Sequence, residues 1–109
     1  MIPVDDANFR AEVLGAREAV LVKVSTPWCG PCRALAPVVE AIAREFEGRV
    51  KVVALDAERS PGIAEVYQVR AFPTVILVKD GQEVGRQVGA VPRARLVALF
   101  EDHLEPTAD

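Results

Sequence analysis

A mixed α/β domain, with a central β-sheet flanked by helices on both faces, is the fold class this sequence predicts. Three observations predict it. Short apolar runs rich in β-branched residues, Ala19–Val24, Val50–Leu55 and Thr74–Val78, alternate with stretches of helical period, the pattern of helices covering both faces of a sheet. One of those stretches, from Leu35 to Phe46, is strongly amphipathic. Asp80-Gly81 lies between two strand-like runs and is the kind of dipeptide that turns an antiparallel hairpin.

Taken in order, Asp6 is positioned to cap a first helix through Asn8–Leu14 that stops at Gly15, and Ala19–Val24 then reads as a buried strand. Leu35, Val38, Val39, Ile42 and Phe46 recur at helical spacing, Glu40 and Arg44 form an i,i+4 pair on the opposite face, and Gly48 is placed to end the helix. Pro37 removes a backbone donor inside that helix, which predicts a kink near its start. Val50–Leu55 is a second buried strand. Ser60-Pro61-Gly62 introduces a short helix through about Tyr67, with Ser60 as cap and Pro61 as first helical residue. Thr74–Val78 and Glu83–Val88 flank the hairpin turn. A last helix from about Pro92 to His103 buries Leu96, Leu99, Phe100 and Leu104 before a polar tail containing Pro106. The expected order is βαβαβαββα, in a single domain spanning 1–109.

The composition narrows the function classes. The chain has 109 residues, half of them apolar, enough for one core without metal or disulfide staples. Its net charge is −3, with acidic and basic residues interspersed, so no basic stripe points to nucleic acid or an anionic membrane. Met1–Asp6 lacks a basic and an apolar leader region, and no run of roughly 20 apolar residues exists to span a bilayer. A cytoplasmic monomer is expected, in a compartment that keeps thiols reduced, so the two cysteines do not read as a structural staple.

Those cysteines stand in Trp28-Cys29-Gly30-Pro31-Cys32, between a buried strand and the start of the long helix. Cys29 falls at the helix N-terminus, where free N–H groups and the positive end of the helix dipole favour a thiolate. It is the candidate nucleophile, and Cys32, one turn along, the candidate resolving thiol. Attack on a substrate disulfide followed by attack on the mixed disulfide moves two electrons and requires no cofactor. Half of a zinc site has the same spacing. A closed structural site takes four ligands, however, and only His103, on the far helix, could join the two cysteines, so no metal is expected. His103 itself reads as a solvated residue near a helix C-terminus rather than a catalytic base. Trp28 fits either a packing or a docking role.

Together with Ala36-Pro37, Ala71-Phe72-Pro73-Thr74, Asp80-Gly81 and Val88-Gly89-Ala90, the Trp-Cys-Gly-Pro-Cys turn makes nearly the whole chain resemble the thioredoxin family. The resemblance implies a thioredoxin fold and a protein-disulfide reductase acting on cytosolic proteins. It also implies a cis bond before Pro73, which faces the active-site disulfide, and a substrate-docking rim of Trp28, Gly30, Pro31, Phe72, Val88, Gly89 and Ala90. The partners it implies are an NADPH-dependent flavoprotein, thioredoxin reductase, and disulfide-containing protein substrates. An oxidant or isomerase, or a binding module without turnover, are the rival readings.

The chain departs from the family at Lys23, where thioredoxins usually carry a buried aspartate beneath the cysteines, at Ala54, where they carry a lysine, and at Ser25, often an aromatic residue. Three roles for Lys23 are open. It can favour thiolates at the cysteines through its charge, act as a desolvated neutral amine that takes the Cys32 proton, or extend to water or to Asp56 with little effect on the sulfurs.

Overall fold

The computed structural model describes residues 1–104. The order along the chain is strand β1 (Ile2–Val4), a π-helical turn at Arg10–Leu14, β2 (Ala19–Ser25), helix α1 (Gly30–Glu45), β3 (Val50–Asp56), α2 (Pro61–Val66), β4 (Thr74–Lys79), β5 (Gln82–Val88) and α3 (Arg93–Glu101). With the π-turn counted as the first helix, this is the expected βαβαβαββα order. The strands form one sheet in the order β1-β3-β2-β4-β5, parallel among β1, β3 and β2 and antiparallel at β4 and β5. Pro106 lies outside the described residues.

Alternation along the strands sends side chains to two cores. Ala19 and Leu21 of β2, Val50 and Val52 of β3, and Val75 and Leu77 of β4 pack against Leu35, Val39 and Ile42 of α1 and Leu96 and Phe100 of α3. Phe46 closes this layer edge-on against Phe100, with ring centroids 4.9 Å apart. On the other face Val20, Val22, Val24, Val53, Leu55, Ile76 and Val78 meet Phe9, just before the π-turn, Val13 within it and, from α2 and the residue after it, Ile63 and Tyr67. Near-continuous apolar runs in β2 and β4 follow from burial on both faces.

Several local expectations are corrected. The first helical segment is a π-turn, with the Gly15 N–H donating to the Arg10 carbonyl, and it is Asp5, not Asp6, that supports the approach to it: Asp5 Oδ1 accepts from the N–H groups of Ala7 and Asn8 at 2.9 and 2.8 Å. Asp6 instead crosses to α2, where its carboxylate accepts from Gly62 N at 3.2 Å and Ile63 N at 2.9 Å. Ser60, the expected cap, makes no side-chain capping bond. Glu40 and Arg44 form no ion pair; the neighbouring Glu45 pairs with Arg93 of α3 instead. Pro37 does lie inside α1, as expected, and is exposed. The last helix is shorter than expected, with Pro92 as its N-cap and His103 beyond its end. At the hairpin, Asp80 and Gly81 both take positive φ, 53° and 79°, as a two-residue turn of the mirror-image type needs.

Candidate active site

The β2 strand leads directly into the cysteine turn. The Cys29 N–H donates to the Thr26 carbonyl at 3.4 Å, closing a four-residue turn that delivers Cys29 to the N-cap of α1. Pro31 is preset for the first turn of the helix and lacks the N–H that would go unpaired there. Cys29 and Cys32 are joined as a disulfide with Cα atoms 5.3 Å apart. The Cys32 N–H donates to Cys29 Sγ at 3.2 Å, so one helix-terminal donor already points at this sulfur. Cys29 and Cys32 are 8% and 4% exposed, and Cys32 is the deeper of the two. Gly30 and Pro31 between them face solvent.

Around the turn stand the other candidates. The Phe72–Pro73 bond is cis, as the resemblance implied. Thr74 pairs with Val24 across the sheet, so Pro73 lies beside the C-terminal end of β2, where the cysteine turn starts. Thr74 Oγ1 donates to the Ala71 carbonyl at 2.7 Å and fixes the approach to the proline. The Gly89 N–H donates to the Pro73 carbonyl at 2.8 Å, which brings the Val88-Gly89-Ala90 segment to the same edge, and Gly89 takes a φ of +95° that suits glycine. Val88 and Ala90 are exposed and Phe72 is half-buried. His103 sits after α3 and belongs to none of these segments.

Trp28 is 68% exposed, so it is no core residue. Its Nε1–H donates to the carboxylate of Glu58, on the loop after β3. Glu58 carries no local sequence signal; the contact joins residues 30 positions apart and follows only from the pairing of β2 with β3. Arg33, one residue after Cys32, donates to the Pro27 carbonyl at 3.2 Å and so ties the first turn of α1 to the residue before Trp28.

Lys23 occupies the row of the sheet shared by Ala54 on β3 and Val75 on β4, on the face that α1 covers. The residue is 9% exposed. Among the described residues no hydrogen bond or ion pair engages its ammonium, so the suggested link to Asp56 does not form; Asp56 Oδ1 instead accepts from the Glu58 N–H at 2.9 Å. Ala54 leaves this row without a second charged group.

The geometry is that of a two-cysteine redox couple at a helix start, rimmed by an exposed indole, a cis-proline and a glycine-containing segment. The thioredoxin family model matches residues 1–102. The chain is 46% identical over 101 residues to "Thioredoxin 1" of Nostoc sp., covering 93% of this chain and 94% of that protein. It is equally close, 46% over 101 residues with the same coverage, to "Thioredoxin" of Synechocystis sp.. "Thioredoxin M-type, chloroplastic" of Spinacia oleracea is 38% identical over 103 residues, which make up 94% of this chain and 57% of that longer protein.

Proposed function

The chain belongs to the thioredoxin family and is a protein-disulfide oxidoreductase, and from that premise we propose that Cys29 is its nucleophile and Cys32 its resolving thiol. The Cys29 thiolate attacks one sulfur of a substrate disulfide and expels the other as a thiolate. The Cys32 thiolate then attacks Cys29 Sγ, the substrate leaves as a dithiol once protonated, and the chain is left with the 29–32 disulfide, two electrons poorer. The observation that carries these roles is the place of Cys29 at the N-cap of α1, where its sulfur accepts the Cys32 N–H at 3.2 Å. A thiolate at Cys29 gains from that donor and from the helix dipole, while Cys32 is held one turn inside.

In this reading Trp28, Gly30, Pro31, Phe72, cis-Pro73, Val88, Gly89 and Ala90 form the docking rim, and a substrate strand lies across Pro73 and Gly89. Residues 1–109 make up one domain that works as a monomer in the cytoplasm and is regenerated by an NADPH-dependent flavoprotein reductase. No helix among the described residues is long and apolar enough to cross a membrane.

For Lys23 we take the electrostatic role. No carboxylate among the described residues pairs with it, and it shares the α1-covered face of β2, so its charge favours the thiolate form of the couple and stabilises the reduced protein.

Trapping tests the cysteine roles. Cys32→Ser accumulates a mixed disulfide with a protein substrate through Cys29, whereas Cys29→Ser accumulates none; substrate captured on Cys32 overturns the assignment. Lys23→Met tests the charge: a more negative reduction potential is expected. A fall in turnover at an unmoved potential assigns the amine as the Cys32 proton acceptor instead.

A further inference from the structure

Thr26, before Pro27, belongs to none of the motifs the sequence shows. In the folded chain it is 7% exposed, and its Oγ1 is the buried side-chain polar atom without a hydrogen-bond partner among the described residues. Buried hydroxyls are nearly always paired, commonly to a local backbone carbonyl, because an unpaired one forfeits its hydration with nothing in return. The exception here stands at the corner of the redox turn, where the Thr26 carbonyl accepts the Cys29 N–H at 3.4 Å.

A matching gap lies at the other end of the same segment. Cys29 Sγ accepts the Cys32 N–H, but among the described residues no donor engages Cys32 Sγ, on the deeper cysteine. The closed turn thus holds a buried donor without an acceptor and a buried sulfur without a donor. A sulfur within a disulfide is a weak acceptor. Reduction adds two electrons and breaks the S–S bond, the two sulfurs separate, and each becomes a thiol or a thiolate; a thiolate is a strong, charged acceptor.

We propose that Thr26 is a positioning residue whose hydroxyl donates to Cys32 Sγ when the 29–32 disulfide is open and is left unpaired when it closes. The bond then stabilises the dithiol and mixed-disulfide states, and its loss on closure adds to the cost of forming the disulfide. Thr26 therefore makes the couple more oxidising than the same couple without the hydroxyl. It also holds the resolving sulfur in place while Cys29 is bound to substrate. The proposal rests on Cys32 being the resolving thiol, which the trapping experiment tests separately, because the measurement below needs only the intact cysteine pair.

The test equilibrates wild type, Thr26→Val and Thr26→Ser with graded glutathione buffers at one pH and counts oxidised and reduced protein by thiol trapping. Loss of one hydrogen bond to a charged acceptor is expected to shift the Thr26→Val equilibrium about tenfold towards the disulfide. For this two-electron couple that is about 30 mV in the negative direction. Thr26→Ser, which keeps the hydroxyl, stays near wild type. Thermal melts add a second readout: Thr26→Val lowers the melting temperature of the reduced form and not that of the oxidised form. An unmoved equilibrium in Thr26→Val overturns the proposal, as does Thr26→Ser shifting as far as Thr26→Val, or an equal loss of melting temperature in both redox forms. Thr26→Ala serves in the same comparison if the valine variant does not fold.

Discussion

Helices α1 and α2 both carry a proline in their first turn, Pro31 and Pro61, and both present, just after it, N–H groups that turn to an acceptor outside the helical ladder. The groups are satisfied by different means. At α1 the acceptor is local, the sulfur of Cys29 at the N-cap, and it is also the atom proposed to react. At α2 the acceptor is the carboxylate of Asp6, 56 and 57 residues away, and Ser60 at the N-cap makes no side-chain capping bond. A helix start is an electrostatic resource that can be spent on chemistry or on stability. In this chain α1 uses it for a sulfur that must remain able to leave, and α2 for a carboxylate that ties the N-terminal segment to the body of the fold.

Of the two helix starts, the one at Cys29 should respond most strongly to substitution. Cys29→Ser should reduce turnover of protein disulfides to the uncatalysed background, because a hydroxyl is not ionised where a thiol is. Serine is nevertheless a good N-cap, so against the reduced wild type its stability should lie within about 0.5 kcal/mol, while Cys29→Ala should cost about 1 kcal/mol. Urea denaturation of the reduced proteins separates the two roles. If the serine and alanine variants are equally destabilised, the sulfur is not acting as a cap.

Next in size is the loss of the long-range cap. Asp6→Ala should destabilise the oxidised protein by about 1–2 kcal/mol, and Ser60→Ala by less than about 0.5 kcal/mol. The opposite ranking would return the cap to Ser60. Gly62 sharpens the test, because a Cβ there would lie 2.9 Å from Asp6 Oδ2. Gly62→Ala should push the carboxylate away and cost a similar amount, and the double variant should cost little more than either single one, since both remove the same contact.

The same contrast explains what could be read from the sequence. Strands β2, β3 and β4, the apolar stripe of α1 and the Asp80-Gly81 hairpin are legible because each is encoded within a few neighbouring residues by side-chain period or by backbone preference. The cysteine turn is legible for the same reason, as its chemistry depends on residues one helical turn apart. Strand β1 stands in the expected order without residues assigned to it, because three residues, including Pro3, are too few to show a period; pairing with β3 at the sheet edge and the burial of Val4 place it. Asp6 on α2, Glu58 on Trp28 and the buried hydroxyl of Thr26 depend on which segments the fold brings together. Asp5 and Asp6 are chemically the same residue, and only the folded path decides which faces Asn8 and which faces Gly62.

The smallest effect is expected on the sheet face away from α1, where Tyr67 follows α2. Its ring packs against Phe9 with centroids 5.6 Å apart, and Arg86 Nη2 donates to its carbonyl at 2.8 Å. Burial, and then the negative charge of Glu83, raise the Tyr67 phenol above its ordinary value of 10.0. The phenol of the unfolded chain therefore ionises first as pH rises, while the folded chain still holds its proton. The contribution to stability is fully present below about pH 10 and is lost as pH climbs from there through the folded value. Tyr67→Phe should flatten that alkaline decline without touching the redox couple, and Glu83→Gln should flatten it less, because Glu83 is the second cause and burial the first. Denaturation midpoints between neutral pH and about pH 11 would show it. An unchanged slope in Tyr67→Phe would mean that the alkaline loss belongs to other groups and that the α2 end of the molecule, unlike α1, carries no titration that its function or stability feels.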